Sequence, residues 1–330
     1  MNGVHSLVNK VQGLLKWPRT TSSWDYTATL PQTFMGVENS PLSEAHVIVA
    51  PLPFEGTACF IRGTAKAPAA IVRASGMVDL WDEELQWEPG EILAFHTLPP
   101  LAPRNSESPS DYHRRIEAQA SQLRGCSAVT LTIGGEHSIT APTIRGLASS
   151  PESLTVVQFD AHADLLDTFQ GTRASHGCVM RRVWEAGAHL IQIGIRTLDR
   201  SEYEFLTGAE RIETFYGHHL QEQQELEKLS ARLEQLAGDV YLTIDVDCFD
   251  GATVPSTGTP QPGGLGWYQV LRLLHALLLK SQARLLAVDI VETIPGEHVR
   301  AAEFNVAKLA FKIVSYSFYA AGTGNHRSFV

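Results

Sequence analysis

The sequence predicts an α/β fold in which helices cover both faces of one mainly parallel, doubly wound sheet. Apolar runs alternate with helix-periodic segments from residue 45 onward. The runs are continuous and do not alternate apolar with polar residues, which is typical of strands buried on both faces. No composition break or internal repeat divides this part of the chain, so one large domain is expected. In such a sheet, ligands bind beyond the carboxyl ends of the strands.

Strands are predicted where short aliphatic runs are bounded by polar or turn-forming residues. They cover residues 45–54, 127–135, 154–160, 190–196, 239–247 and 283–292. The segments between them carry apolar residues at helical spacing and are predicted as helices. Pro68 stands near the start of the first helix, and Gly125 ends the second. The helices cover residues 67–85, 108–125, 139–150, 178–187, 201–212, 221–238, 266–280 and 300–320.

The remaining organisation follows from composition. Residues 1–44 are predicted as an N-terminal arm and residues 45–330 as the α/β domain. The four cysteines are scattered and form no CxxC pair, which indicates reduced thiols. The chain contains neither a secretory signal pattern nor an apolar run of about 20 residues, so the sequence predicts a cytoplasmic protein without membrane contact.

Charge narrows the class of partner. The formal net charge is −10, with lysine and arginine dispersed along the chain. Because no basic stripe is present, the sequence argues against a nucleic-acid partner. An acidic balance favours a small cationic substrate.

Acids and imidazoles follow four of the predicted strands, at the point where each strand ends. A polar turn or a helix cap would explain any one of them. Together they would repel one another and lose hydration at one edge of the sheet, unless cations neutralised them. These groups are His137, then Asp160, His162 and Asp164, then Asp245 and Asp247, and finally Glu292.

The spacing of these groups predicts a metal centre. In an extended segment residues i and i+2 project to the same face, so the side chains within each cluster can converge. Two histidines and four aspartates exceed the four ligands of one tetrahedral zinc, and suit two ions that share carboxylates. Nitrogen and oxygen ligands without a thiolate favour two Mn²⁺ ions, with Ni²⁺, Co²⁺ and Zn²⁺ as alternatives.

The motifs "GGEHSIT", "FDAHADL", "SHG" and "IDVDCFD…TGTPQPGG" resemble those of the ureohydrolase family, which includes arginase, agmatinase and formiminoglutamase. The resemblance covers about residues 45 to 320, which makes residues 45–330 the ureohydrolase catalytic domain. It implies a three-layer α/β/α sandwich with a mainly parallel, about eight-stranded sheet. It also implies hydrolysis of a guanidinium group to urea by metal-activated hydroxide, and a homo-oligomer, usually a trimer or hexamer.

The resemblance also implies roles for individual residues. Glu292 would pair with the substrate guanidinium, His176 would relay a proton near the leaving group, and Asp164 would help to protonate the leaving amine. For His176, a purely orienting role is the alternative. One metal ion would be bound by His137, Asp160, Asp164 and Asp245, and the other by Asp160, His162, Asp245 and Asp247.

Residues expected near the substrate indicate which branch of the family this chain resembles. Arginases of the common type carry an asparagine where this chain has Ala174, and "PFEGTACFIRGTAKAPAAIVRAS" and "SHGCVMRR" look like the agmatinase branch. Agmatine is therefore the expected substrate, and guanidinobutyrate, guanidinopropionate, arginine and guanidine are the alternatives. Gly251 and Gln261 depart from the residues usual in the family, and neither is expected to contact a predicted ligand.

Two other classes of protein share the broad fold. A deacetylase-like amidase would bind a single zinc ion through a reduced ligand set. A non-catalytic partner subunit would have lost ligands, whereas this chain retains all six predicted ones.

Overall fold

The computed structural model describes residues 33–322, with side chains through residue 319. Residues 1–32 of the predicted arm lie outside the described residues, and the arm boundary at residue 44 stays a prediction. Residues 33–44 contact the sheet and its first helix. Phe34 is buried, and its N–H donates to Thr97 Oγ1 at 3.0 Å. The N–H of Met35 donates to Ser75 Oγ at 2.7 Å.

The described residues form one sheet of eight strands in the order β2-β1-β3-β8-β7-β4-β5-β6. Every neighbouring pair is parallel, which confirms the predicted fold class. The strands are β1 Val47–Leu52, β2 Phe95–Thr97, β3 Val129–Gly134, β4 Thr155–Phe159, β5 His189–Ile195, β6 Ile212–Tyr216, β7 Ala237–Asp245 and β8 Gln282–Val291.

Helices connect the strands. Within residues 33–322, none is long and apolar enough to span a bilayer. They are α1 Ala67–Ser75, α2 Pro89–Ile92, α3 Pro109–Leu123, α4 Thr140–Leu147, α5 Val179–Glu185, α6 Arg200–Gly208, α7 Gln223–Glu234, α8 Trp267–His275, which continues as a π-helical turn Ala276–Lys280, and α9 Ala301–Gly322.

The core lies on both faces of the sheet, because successive strand residues point to opposite sides. Val157 of β4 belongs to an apolar cluster with residues of α1, α7, α8 and α9. Its neighbour Val156 belongs to a second cluster with residues of α3, α4 and α5. Burying each such side chain contributes about 1.5–3 kcal/mol before conformational entropy is subtracted. The strands are therefore apolar throughout, as the sequence indicates.

The sequence-based assignment fails at both edges of the sheet. Strand β2 has only three residues, and its pattern carries no strand signal of its own. Strand β6 falls where the predicted helix 201–212 ends and in the unassigned residues after it. Helix α6 stops at Gly208, and Arg211 turns the chain with a positive φ of 70°. Hydrogen bonding to β5 then fixes an edge strand whose residues are mostly half-buried.

The first helix is also shorter than predicted, because the chain after it is held by a buried ion pair. Helix α1 ends at Ser75, not at residue 85. Asp82 and Lys312 of α9 are both buried, and Lys312 Nζ donates to Asp82 Oδ1 at 2.9 Å. The same oxygen accepts the N–H groups of Glu84 at 3.0 Å and Leu85 at 3.1 Å. A continuing helix would carry Asp82 away from this cation.

Replacing Lys312 by methionine is expected to lower the free energy of unfolding by about 3–5 kcal/mol, because Asp82 is left buried without its cation. Chemical unfolding followed by circular dichroism measures the change. Lys228→Met is the matched control, since Lys228 pairs with Glu225 on the protein surface. The control is expected to change stability by less than about 1 kcal/mol. Equal effects in the two variants would contradict a stabilising role of the buried pair.

Candidate metal centre and substrate pocket

The four strands that carry the predicted site residues are neighbours in the middle of the sheet, in the order β3-β8-β7-β4. Their carboxyl ends therefore meet at one edge. His137 begins a short 3₁₀ turn after β3, and Asp160 directly follows β4. Asp245 is the last residue of β7, and Glu292 directly follows β8. The structure thus brings together groups that are far apart in the chain.

Two groups of potential ligands share the carboxylate of Asp160. His137 Nδ1 lies 3.2 Å from Asp160 Oδ2 and 3.0 Å from Asp164 Oδ2. His162 Nδ1 lies 3.6 Å from Asp160 Oδ1 and 2.9 Å from Asp247 Oδ2. In each group the ligand atoms lie within 4.8 Å of one another, a spacing that can hold a metal ion. Each oxygen of Asp160 therefore faces a different imidazole, an arrangement in which the carboxylate could bridge two ions.

Asp245 stands between these groups. Its Oδ2 lies 3.6 Å from His137 Nδ1, and its Oδ1 accepts the N–H of Asp247 at 2.9 Å. Asp247 Oδ1 in turn accepts the N–H of Ala161 at 3.0 Å. These hydrogen bonds connect the loop after β7 to the loop after β4. They therefore hold Asp245 and Asp247 at a fixed distance from Asp160.

Two of the acidic residues adopt a strained backbone. Asp164 has φ 55° and Glu292 has φ 63°, in the left-handed region that favours glycine. Such residues cost about 1–3 kcal/mol each and persist only where the surroundings hold them. The N–H of Glu292 donates to Gly135 O at 2.8 Å, and Glu292 Oε1 accepts the N–H of His137 at 2.7 Å. Strain of this kind is typical of functional sites.

Buried negative charge dominates the electrostatics of the cluster. Burial, reinforced by the charge of Asp160, raises the pKa of Asp164 to about 7. Burial and neighbouring carboxylates also raise the pKa values of Asp245 and Asp247. Although burial opposes it, hydrogen bonds to Asp160 and Asp247 raise the pKa of His162 to about 11. Protonated imidazoles thus provide positive charge that balances the buried carboxylates.

The hydrogen bonds behind His137 suit metal binding. Thr243 Oγ1 donates to Asp289 Oδ1 at 2.5 Å, so it can only accept from His137 Nε2, which lies 2.8 Å away. Asp289 Oδ2 accepts from Tyr241 and Thr140, at 2.6 and 2.7 Å. In a neutral His137, the form that binds metal, the proton therefore lies on Nε2, and Nδ1 points its lone pair towards the carboxylates. It is buried and has no hydrogen-bond partner, so a cation in the cluster would satisfy it.

A cavity of about 190 Å³ opens onto this cluster. Glu292 lies in its wall, and burial together with the charge of Glu136 raises the pKa of Glu292 to about 8. His176 also lines the cavity, with its ring edge-on to Phe169 at 5.5 Å between centroids. Two further acids, Asp199 and Glu202, form part of the wall. The cavity is therefore rich in groups that bind cations.

His176 lies in a hydrogen-bonded setting in the wall of the cavity that opens onto the His/Asp cluster. Its Nδ1 lies 3.1 Å from Thr57 Oγ1, and its Nε2 lies 3.6 Å from Cys59 Sγ. Burial lowers the pKa of His176 to about 4, and the positive charges of His137 and His162 act in the same direction. Its ring is thus held neutral in the described cluster.

Several residues that contact the site carry no sequence pattern that predicts a role for them. Thr57 and Cys59 belong to "PFEGTACFIRG", and Glu136 directly precedes His137, so adjacency within the motifs is the only signal for them. The expectation that Gln261 contacts no predicted ligand is wrong, because its Nε2 lies 3.4 Å from His162 Nε2. Its amide offers both a donor and an acceptor to that ring nitrogen. Gly251 is exposed, with open space around its Cβ position.

Comparisons with known proteins agree with this arrangement. The chain is 33% identical over 299 residues to the N(1)-aminopropylagmatine ureohydrolase of Synechocystis sp., covering 87% of this chain and 94% of that protein. It is 30% identical over 278 residues to the agmatinase of Pyrococcus horikoshii, covering 84% and 93%. The structure of the agmatine ureohydrolase of Thermoplasma volcanium shares the fold, with a TM-score of 0.76 at 22% identity over 96% of this chain and 99% of that one.

The family itself is shown by a direct match. The model of the arginase family matches residues 45–316, which is most of the chain and includes every strand and every predicted site residue. The match spans the same motifs on which the resemblance rests. This chain therefore belongs to the arginase family.

Proposed function

We propose that this protein hydrolyses the guanidinium group of an amine-ended guanidine, with agmatine as the first choice, and releases urea and an amine. One observation carries the proposal. Two His/Asp groups share Asp160, and the buried carboxylate of Glu292 lines the same cavity. A guanidinium bound by Glu292 would lie beside the metal cluster, which is the geometry that a metal-assisted attack on its carbon requires.

The donor set supports two metal ions. When bound, they would supply nucleophilic hydroxide near neutral pH. Nitrogen and oxygen donors favour Mn²⁺, with Ni²⁺, Co²⁺ and Zn²⁺ as competitors. One ion would be held by His137, Asp160, Asp164 and Asp245, and the other by Asp160, His162, Asp245 and Asp247.

Three residues would act on the substrate. Glu292 is fixed through Oε1 by the N–H of His137, and its carboxylate can accept the paired N–H groups of a guanidinium. The positive charge of that group would stabilise the ionised form of Glu292. His176 would hold and return a proton at the leaving nitrogen, and Asp164 would help to protonate the leaving amine.

The cationic tail of the substrate is supported by the pocket and by the relatives. Asp199 and Glu202 place negative charge in the cavity wall. Ala174 offers no polar group for a carboxylate where common arginases carry an asparagine. The relatives include an agmatinase and an N(1)-aminopropylagmatine ureohydrolase, so a longer amine tail is the second choice. Guanidinobutyrate, guanidinopropionate, arginine and guanidine are the remaining alternatives.

The assembly and location are proposed with the function. We infer a homo-oligomer, a trimer or hexamer, in the cytoplasm. Light scattering of the purified protein tests the assembly, and a monomer at working concentration would contradict it. The presence of all six ligands argues against a non-catalytic partner subunit, and the second ligand group argues against a single-zinc amidase.

Urea release is expected from agmatine or N(1)-aminopropylagmatine at a kcat/KM at least about tenfold above the other guanidines, because the acidic cavity favours an ammonium tail. The measurement is a urea-release screen that adds guanidinobutyrate, guanidinopropionate, arginine and guanidine, with Mn²⁺ and Ni²⁺ tested separately. Metal analysis of the same protein is expected to give two ions per chain. One zinc ion per chain together with no urea release from any of these compounds would contradict the proposal.

Asp247→Ala is expected to lose metal occupancy and to lower kcat/KM by about 100-fold or more, with the fold retained. Metal analysis, circular dichroism and the urea assay measure these effects. Asp250→Ala is the matched control, since Asp250 lies three residues further along the same loop and its carboxylate accepts the exposed N–H of Ala252. Full activity in Asp247→Ala would refute the two-metal assignment.

Glu292→Gln is expected to raise KM about tenfold or more while both metal ions stay bound, because the amide can still accept from His137 N–H but cannot pair as a charge with a guanidinium. Steady-state kinetics and metal analysis on the best substrate of the screen separate the two effects. Unchanged kinetics would remove Glu292 from the guanidinium site.

A further inference from the structure

We propose that Glu136 is a positioning residue that acts through Thr57 to hold the His176 ring as the tautomer with its proton on Nδ1. The atom Nε2 then carries the lone pair and faces the substrate cavity. The inference rests on the proposed function, in which His176 handles the proton of the leaving nitrogen. It adds a buried carboxylate and a hydroxyl to the residues that control that proton.

The contacts form a continuous chain. Glu136 is fully buried, and its Oε2 accepts the N–H of Thr57 at 2.6 Å. Thr57 Oγ1 donates to Glu136 Oε1 at 2.7 Å. The same Thr57 oxygen lies 3.1 Å from His176 Nδ1 and accepts the backbone N–H of His176 at 3.2 Å. The carboxylate therefore reaches the imidazole through one hydroxyl.

The number of hydrogens in this chain fixes the tautomer. A hydroxyl has one hydrogen to donate and two lone pairs to accept with. Burial raises the pKa of Glu136, while the hydrogen bonds from Ser138 and Thr57 lower it. In its ionised form the carboxylate only accepts, so the hydrogen of Thr57 is committed to Glu136. The two lone pairs of Thr57 are then filled by the backbone N–H and the Nδ1–H of His176. Ser175 Oγ lies 3.4 Å from Nδ1, farther than Thr57 Oγ1, and its lone pairs can accept from the same N–H. Because a neutral imidazole carries a single N–H, Nε2 must be the acceptor.

The tautomer determines which proton transfers His176 can perform. Cys59 Sγ, 3.6 Å from Nε2, lines the same cavity as His176, so the free lone pair faces the place where substrate would bind. In this state Nε2 can take a proton and later return it to a leaving nitrogen. The opposite tautomer would present an N–H to the cavity and could not accept first.

The fold holds Glu136 in place through two loops that follow neighbouring strands, β1 and β3. The N–H groups of Gly135 and Glu136 donate to Leu52 O at 2.9 Å and Phe54 O at 2.8 Å. A Cβ on Gly135 would lie 2.0 Å from Phe54 O, so only glycine permits this approach. Ser138 Oγ also donates to Glu136 Oε1, at 2.6 Å. The carboxylate is thus fixed before substrate arrives.

One variant removes the hydrogen bonds from Glu136 through Thr57 to His176, and another reverses their direction. Thr57→Val removes the hydroxyl at nearly constant volume, and Thr57→Ser restores it. In Glu136→Gln the amide oxygen can accept the Thr57 N–H while the amide nitrogen donates to Thr57 Oγ1. The Thr57 hydrogen is then free to point at Nδ1, which favours the opposite tautomer. The two changes differ in structure but act on the same ring.

Thr57→Val is expected to lower kcat by about 100-fold and to change KM by less than about threefold, since it alters proton transfer but not the guanidinium contact. Glu136→Gln is expected to lower kcat by a similar factor without a rise in KM, because losing the Glu136 charge favours the ionised form of Glu292. Thr57→Ser is expected to recover most of kcat. Thr130→Val, which replaces a buried threonine in β3, is the matched control and is expected to keep wild-type kinetics. Metal analysis is expected to give wild-type occupancy in every variant.

The residual activity of His176→Asn completes the test. Adding Thr57→Val to His176→Asn is expected to change kcat by less than about threefold, because both changes remove one function. Multiplicative losses in the double variant, a rise in KM instead of a fall in kcat, or lost metal would overturn the inference in favour of a structural tether. Wild-type kcat in His176→Asn would overturn the role of His176 and with it this inference, while the proposed hydrolysis would stand. Absence of urea release by the unmodified protein would overturn the proposed function.

Discussion

The carboxylate of Asp160 is the group on which the rest of the site depends. Its two oxygens face two different imidazoles, and it belongs to both groups that can hold a metal ion. Gln158 Nε2 donates to Oδ2 at 2.7 Å, and the N–H of His162 donates to Oδ1 at 2.6 Å. These bonds set the plane of the carboxylate without help from a metal. Other acids lie close enough to repel it, so the cluster can be stable only when positive charge occupies it.

The sheet is what makes this concentration of charge possible. Strands β3, β8, β7 and β4 are adjacent and buried on both faces, so the groups at their ends cannot move apart. The strained backbone of Asp164 and Glu292 is held by hydrogen bonds from neighbouring loops. A site assembled on flexible loops would relax these residues into ordinary conformations. Rigidity is therefore the contribution of the fold to the His/Asp cluster.

The central strands of the sheet can be predicted from the sequence. The edge strands and the side-chain contacts between distant residues cannot. Long apolar runs identify the buried strands, and each predicted ligand lies at a strand end or within five residues after one. Strand β6 was missed because an edge strand is fixed by its neighbour rather than by its own pattern. The predicted helix 67–85 is too long because the conformation after α1 depends on the ion pair between Asp82 and the distant Lys312. The contact of Gln261 with His162, and that of Thr57 with Glu136, are tertiary and leave no periodic signal.

Two histidines at this site are oriented by the same arrangement, in which a buried carboxylate commits the hydrogen of a threonine. For His137, the pair Asp289 and Thr243 directs Nδ1 towards the metal cluster. Phe169 and Asp199, in contrast, line the cavity from loops. Loop residues can change without disturbing strands or their caps. In this chain the strand ends therefore hold the His/Asp cluster, and the loops that carry Phe169 and Asp199 could change without moving it.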